Sequence, residues 1–310
     1  MTRWRPAVEE YLQLRQDLGF KLHEARRTLQ AFAAFLDQRR VAHLTIALAL
    51  EWAQANPAVR PAEWARRLTF IRGFARHWSA QDPHTEVPPG GLLPYRPRRA
   101  RPYLYTDAEV RRLLDAALQL PPAHGLRGPT YHALLGLLAV TGLRIGEALR
   151  LHPTDVDLAA GVLTIHGATF GKMRLVPIHP STQRVLARYA ARRDRALAGR
   201  PAVSFFVSDR GNRLDRSQVH RTFCAVSRQV GLRDATARHG PRLHDFRHRF
   251  AVQTLLRWYR AGDDVERRLP LLSTYLGHTH VAYTYWYLTA CPELLGATVQ
   301  RLEARWEGPR

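Results

Sequence analysis

Five side chains in this sequence have types and spacings that suit attack on a phosphodiester. They are two arginines (Arg144 and Arg247), two histidines (His244 and His278) and Tyr287, which follows His278 by nine residues. Guanidinium groups bind phosphate oxygens through parallel hydrogen bonds and stay charged. Histidine exchanges protons near neutral pH, and an activated tyrosine hydroxyl is a nucleophile. If folding brings these side chains together, they predict a site that cuts a nucleic-acid backbone.

Three tyrosines close to one another are candidates for the nucleophile. Tyr283, Tyr285 and Tyr287 lie within one short aromatic segment. On a helix, Tyr283 and Tyr287 share a face while Tyr285 points away from it. Helical geometry therefore excludes Tyr285 and leaves the other two tyrosines open.

The charge of the chain favours a nucleic-acid partner. Its 310 residues carry a formal net charge of +21, with 47 Lys and Arg against 26 Asp and Glu. Only Lys21 and Lys172 are lysines, which indicates a codon preference for arginine. That preference does not explain the excess of cations over acids. Because phosphate neutralisation dominates sequence-independent nucleic-acid binding, an anionic polymer is the expected partner.

Other protein classes are disfavoured by composition. Cys224 and Cys291 are the only cysteines and form no spaced pair, which disfavours a disulfide framework or a zinc ribbon. His244 and His248 have the spacing of a helical metal pair, with His280 and Cys291 available, but Arg247 would place a cation inside such a site. No signal peptide or apolar run long enough for a membrane span is visible. We therefore expect a soluble, cytoplasmic protein that needs no metal.

The elements that must position these residues divide into two domains. Apolar residues recur at helical spacing through residues 1–85, with Pro61 near the start of one helix, and we assign the aromatic residues there to a core. Residues 86–103 are rich in proline, glycine and arginine and are typical of an extended basic linker. A second domain is predicted over residues 104–310.

The second domain is predicted to be helical with one small hairpin. Thr106 to Glu109 has the pattern of a capping box, and an apolar helix follows and ends at Gly142. Two short apolar segments, 162–165 and 173–178, are separated by a glycine-containing turn and predict a β-hairpin. Further helices are expected to start near Ser181, Ser217 and His244. The fold class is therefore mainly α with a small β-sheet.

Four sequence boxes, in this order, resemble the tyrosine recombinase (phage integrase) family. They are Thr141-Gly142-Leu143-Arg144-Ile145-Gly146-Glu147, the hairpin end Arg174-Leu175-Val176-Pro177-Ile178, His244-x-x-Arg247, and Leu276-Gly277-His278 followed by Tyr287. The resemblance covers residues 104 to about 295. It implies a two-domain clamp around duplex DNA, in which the first domain corresponds by position to the family's core-binding domain.

The resemblance also implies roles for individual residues. Arg144 and Arg247 match the catalytic arginines, His244 matches a general base, and His278 matches a phosphate-binding histidine. Both the spacing from His278 and the threonine three residues earlier select Tyr287 as the nucleophile. Glu147, one helical turn beyond Arg144, is a candidate to hold that arginine in place, although the position equally suits an ordinary surface acid.

One part of the hairpin departs from the family pattern. The family carries a catalytic lysine there, and its usual position falls at Thr169 in this chain. Lys172 stands two residues before Arg174, where many family members carry a second lysine. We therefore expect Lys172 to protonate the leaving 5′ oxygen, with a missing acid as the alternative.

The expected function is site-specific recombination of double-stranded DNA through a 3′-phosphotyrosine, without a metal ion or ATP. The resemblance implies a homotetramer on two synapsed duplexes and a monomer or weak oligomer in free solution. The C-terminal tail, with Leu294, Leu295, Val299 and Leu302, is expected to dock on a neighbour or to fold back. A type IB topoisomerase and a non-catalytic DNA-binding relative are the alternatives.

Overall fold

The computed structural model of the chain describes residues 3–94, 102–167, 173–237 and 239–289, and the single residues 293, 294, 296, 299, 303 and 306. The chain divides into two compact units, residues 1–100 and 101–310. The division falls within the segment 86–103, of which residues 95–101 lie outside the described part. Among the described residues, no helix combines the length and the apolar character that a membrane crossing requires.

The first unit is a small helical domain. Its described part contains four helices: α1 (Trp4–Asp17), α2 (His23–Arg39), α3 (Ile46–Gln54) and α4 (Pro61–Trp78). Pro61 begins α4 at a position where its missing N–H would have no helical partner. Leu68, Ile71 and Phe74 of α4 are buried in one core with Phe32 of α2. The predicted apolar stripe of this helix is therefore confirmed as core.

The second unit is mostly helical with one small sheet, which confirms the predicted fold class. The elements in its described part are α5 (Asp107–Leu118), α6 (Arg127–Thr141), α7 (Ile145–Ala148), β1 (Val156–Asp157), β2 (Val162–His166), β3 (Met173–Pro177), α8 (Pro180–Leu197), α9 (Arg216–Gln229), α10 (Asp245–Arg260), α11 (Val265–Leu276) and α12 (Ala282–Thr289). A 3₁₀ turn, Pro153–Asp155, precedes β1.

Local sequence explains where the helices around the core begin and end. The capping box of α5 is present, because the Thr106 hydroxyl accepts from the Glu109 N–H and the Glu109 carboxylate accepts from the Thr106 N–H. The next helix, α6, is apolar on nearly all sides and buried in the core of this unit. It ends at Gly142, whose φ of 62° is in the left-handed region that glycine tolerates.

The three strands form an antiparallel sheet in the order β1-β2-β3. In the predicted hairpin, Leu163 of β2 pairs with Val176 of β3, and the paired positions end at His166 and Met173. Alternation along β3 places Arg174 on the same side as buried Val176. The sheet therefore directs one arginine of β3 toward the protein interior.

A second apolar cluster joins the last helices of this unit. Residues of α10, α11 and α12 form it, including Leu255, Leu272, Leu276 and Tyr287. Leu294 of the tail is fully buried in the same cluster, so at this residue the tail packs on its own domain. Val299 is half exposed, while Leu295 and Leu302 lie outside the described residues.

Candidate active site

Arg144 lies directly after the C-terminus of α6, at the start of α7. The turn at Gly142 is tight, because an added Cβ there would lie 2.8 Å from the Phe250 ring. Arg144 Nη1 donates to Glu147 Oε1 at 3.0 Å, and both Nη atoms approach the Gly277 carbonyl oxygen at 3.3 Å. About 43% of the Arg144 side chain remains exposed, which leaves its guanidinium accessible to a phosphate.

Glu147 is a buried carboxylate shared by two arginines. It accepts from the Arg144 main-chain N–H at 2.9 Å and forms a two-pronged ion pair with Arg174, at 3.1 and 2.9 Å. Burial alone would raise the pKa of Glu147, but the hydrogen bonds and charges of Arg174 and Arg144 outweigh it and lower this pKa to about 2. Glu147 therefore contacts Arg144 directly, as expected of a residue that holds this arginine in place. The alternative, an ordinary surface acid, is wrong because Glu147 is buried.

Arg247, on α10, is held by neutral oxygens. It is 1% exposed and donates to the carbonyl oxygens of Gly142 at 2.9 Å and Leu276 at 2.7 Å. These carbonyls belong to the C-terminal ends of α6 and α11, where the helix dipole favours a cation. Burial and the nearby charge of Arg144 lower the pKa of Arg247 to about 10, so the guanidinium is still charged at neutral pH. Among the described residues, no carboxylate forms an ion pair with this guanidinium.

The two histidines border the same space. His244 is the residue that precedes α10, and His278 follows the left-handed Gly277 at the end of α11. Loss of hydration, reinforced by the charge of Arg247, lowers the pKa of each imidazole to about 4. Both rings are therefore neutral at pH 7 and able to accept a proton. His278 Nδ1 lies 2.8 Å from the hydroxyl oxygen of buried Thr284, which links this turn to α12.

Among the three candidate tyrosines, Tyr287 is the one that packs against these residues. Its side chain is 3% exposed, its ring stacks on His278 with centroids 6.1 Å apart, and it lies close enough to Arg247 to interact with its charge. The Tyr283 ring also lies near His278, at 6.2 Å, but 47% of this residue is exposed. Tyr285 is 51% exposed. The helical-face argument against Tyr285 agrees with this arrangement, and burial close to the charge of Arg247 distinguishes Tyr287 from Tyr283.

The site opens into a pocket of about 1220 Å³ with strongly basic walls. Arginines from five parts of the unit line it: Arg144, Arg150, Arg174, Arg216, Arg221 and Arg242. His220, His244 and His278 also face it, and Glu147 is the single acid among its described lining residues. Tyr287 is not part of the lining. The pocket thus fits a polyanion, and the tyrosine lies behind its wall.

Some of the predicted residues lie outside the described part of the chain. Lys172 and Thr169 fall within residues 168–172, so the assignment of the proton donor stays a prediction. Cys291 is also outside it, and His244 and His248 stack edge to face with centroids 4.8 Å apart. Within the described residues, no group of three or more His, Cys, Asp or Glu side chains is arranged to hold a metal ion.

Sequence reasoning missed Arg174 as a member of this site. In the sequence, Arg174 stood out only as part of the hairpin motif. In the structure, it pairs with Glu147, and its Nε donates to the Tyr275 carbonyl oxygen at 2.9 Å. The available signal was its position two residues before Val176, which strand alternation places on the inward face. A cation at an inward position of a strand indicates a buried anionic partner.

Comparison with known proteins identifies the class to which this arrangement belongs. Residues 104–293 match the model of the phage integrase family. The chain therefore belongs to this family of tyrosine recombinases. It is 55% identical, over 99% of both chains, to y4rB of Sinorhizobium fredii, which is named as an integrase/recombinase. It is 31% identical to the tyrosine recombinase XerD of Mycobacterium tuberculosis, over 79% of this chain and 72% of that protein.

The fold agrees with this assignment. The structure of the Tn1549 transposon integrase in complex with transposon right-end DNA matches with a TM-score of 0.67 and 16% identity. The match covers 96% of this chain and 99% of that one. At this identity the likeness concerns the fold, and it extends through both units of the chain.

Proposed function

We propose that this tyrosine recombinase cuts and rejoins specific sites in duplex DNA, with Tyr287 as the nucleophile and Arg144 and Arg247 as the phosphate clamp. The observation that carries the proposal is the packing of buried Tyr287 against His278, close to Arg247 and beside a pocket walled by arginines. Two permanent cations stabilise the charge that develops on the phosphate oxygens in the transition state. A metal ion is therefore not required for this step.

The reaction is a reversible transfer of a phosphoryl group. The Tyr287 oxygen forms a bond to phosphorus, the bond to the 5′ oxygen breaks, and a 3′-phosphotyrosine and a free 5′-hydroxyl result. His244, neutral at pH 7, takes the phenol proton, and Lys172 supplies a proton to the leaving oxygen. Because the phosphotyrosine conserves the energy of the broken bond, a 5′-hydroxyl from another strand reverses the step without ATP.

Tyr287 must leave its buried position for this attack. Its ring lies behind the pocket wall in the free protein, so we propose that DNA binding shifts α12 and brings the hydroxyl to the phosphate. His278 then donates a hydrogen bond to the phosphate. Strand exchange between two duplexes uses four protomers, and the chain acts in the cytoplasm on chromosomal or mobile-element DNA.

The test is covalent trapping. Wild-type protein is incubated with genomic DNA, the covalent adducts are isolated under denaturing conditions, and their ends are mapped to give the site. A nicked suicide substrate with that site then traps the cleaved intermediate. We expect an adduct with wild type and with Tyr283→Phe, and none with Tyr287→Phe.

Two results would replace the proposal with its alternatives. Specific DNA binding without any adduct for wild type would support a non-catalytic relative. An adduct that rejoins only its own strand, with no transfer between two differently labelled duplexes, would support a topoisomerase.

A further inference from the structure

Arg174 connects three separate segments around the site. From β3, its two Nη atoms pair with both carboxylate oxygens of Glu147, at 3.1 and 2.9 Å. Its Nε donates to the Tyr275 carbonyl oxygen in the last turn of α11, at 2.9 Å. The Arg174 side chain is 13% exposed, so these contacts are largely shielded from water. Its planar fork fits this set of acceptors, which a lysine ammonium group cannot satisfy together.

The guanidinium also packs directly against the turn that carries His278. An added Cβ at Gly277 would lie 2.7 Å from Arg174 Nη1. Gly277 has a φ of 68°, so a glycine is favoured there by both conformation and space. The carbonyl oxygen of the same glycine accepts from Arg144 at 3.3 Å. Arg144 and Arg174 both contact this turn and together fix the path of its backbone.

Glu147 also binds Arg144. The carboxylate that binds Arg174 also accepts from the Arg144 side chain at 3.0 Å and its main-chain N–H at 2.9 Å. Arg144 and Arg174 each donate to both carboxylate oxygens, so the two arginines together restrict the orientation of Glu147 more than Arg144 alone would. Since 43% of the Arg144 side chain is exposed, its direction depends on Glu147 and on the Gly277 carbonyl oxygen.

We propose that Arg174 is a positioning residue for strand cleavage, which acts through Glu147 and the carbonyl end of α11 to align Arg144 and His278 with the scissile phosphate. The inference rests on the function proposed above. The β2–β3 hairpin would then have two separate roles. Arg174 would order the arginines that bind the phosphate, and Lys172 in the turn is expected to donate the proton.

The experiment separates alignment from folding and from DNA affinity. Single-turnover formation of the covalent adduct is measured on the mapped suicide substrate at saturating protein, and affinity and Tm are measured in parallel. The variants are Arg174→Met, Arg174→Lys, Glu147→Gln and the double variant Arg174→Met/Glu147→Gln. Arg193→Met is the matched control, because Arg193 is also buried, pairs with Asp194 and donates to the Phe205 carbonyl oxygen.

We expect Arg174→Met to form the adduct about 10- to 100-fold more slowly at saturation, because small misplacements of catalytic groups cost this much. Its DNA affinity should stay within about threefold of wild type, and Arg174→Lys should have an intermediate rate. The double variant should lose less than the product of the two single losses, because the two side chains share one ion pair. Arg193→Met should lower Tm and leave the cleavage rate unchanged.

Three results would overturn the inference while wild type remains active. One is a wild-type cleavage rate for Arg174→Met at saturation, and another is multiplication of the two single losses in the double variant. The third is an equal loss of rate in Arg193→Met, which would assign the effect to general destabilisation. Failure of wild type itself to form an adduct refutes the proposed function instead, so the two failures are distinguishable.

Discussion

Glu147→Gln should destabilise the second unit substantially at neutral pH. Glutamine keeps the shape and one carbonyl oxygen but removes the charge that Arg174 and Arg144 share. The folded state lowers the pKa of Glu147 from 4.5 to about 2. At about 1.4 kcal/mol per pKa unit, this shift corresponds to about 3 kcal/mol of stability at pH 7. The side chain is only 6% exposed, so solvent screening reduces this value little.

The pH dependence of the effect follows from the direction of the shift. Because the folded pKa lies below the unfolded one, this stabilisation is fully present above pH 4.5 and is lost as the pH falls toward 2. For a unit of this size, spanning residues 101–310, the loss at pH 7 corresponds to a decrease in Tm of roughly 6 to 12 °C. The difference between variant and wild type should shrink steadily below pH 4.5.

Thermal unfolding of wild type and Glu147→Gln at several pH values between 7 and 3 measures both quantities. Glu266→Gln is the control, because Glu266 is an exposed acid on α11 and its loss removes the same charge. A Tm for Glu147→Gln within about 1 °C of wild type at pH 7 would refute the reasoning. A large difference that persists unchanged to pH 3 would also refute it, since it would not arise from the carboxylate charge.

Four further outcomes are expected. Arg247→Lys should lower the single-turnover cleavage rate about 10²- to 10³-fold. The reason is that a lysine cannot bind the carbonyl oxygens of Gly142 and Leu276 and the phosphate at the same time. A cleavage rate within tenfold of wild type would contradict this prediction. Gly277→Ala should lower Tm by more than Gly262→Ala. Both glycines have a positive φ, but only at Gly277 would the new Cβ contact a guanidinium group, that of Arg174. Equal decreases in Tm would argue against that contact. Stability should fall as pH decreases from 6.5 toward 4, because His244 and His278 are held neutral in the folded state, and substituting both with Asn should flatten this slope in urea unfolding. Adduct formation should be unaffected by excess EDTA, and a loss restored by magnesium would contradict the metal-free mechanism.

Features that depend on nearby residues could be predicted from the sequence. The capping box of α5 lies within four residues, and the end of α6 follows from one glycine after an apolar helix. The hairpin was predicted from two short apolar segments and the glycine-containing turn between them. Each of these features depends on interactions between residues a few positions apart, so it can be read directly from the sequence.

Features that depend on tertiary packing could not be predicted in this way. Arg174 and Glu147 are 27 residues apart, and their pairing depends on how the hairpin packs against α7. Tyr287 is buried behind the pocket wall because α12 packs against α10 and α11. The spacing of residues in the sequence does not indicate this burial. The lowered pKa values of the histidines likewise arise from burial and from the charges of nearby arginines, both of which only folding supplies.

The carbonyl oxygens that hold Arg247 have a consequence for the evolution of stability in this protein. Within the described part of the chain, helix ends rather than carboxylates bind this guanidinium, and the single charge of Glu147 pairs with Arg144 and Arg174. The free protein therefore retains repulsion among the three arginines. An anion relieves this repulsion, so phosphate, sulfate or DNA should raise Tm through linkage. An added acid in the pocket would stabilise the free protein and also occupy the clamp. Selection for cleavage therefore opposes selection for stability at this site.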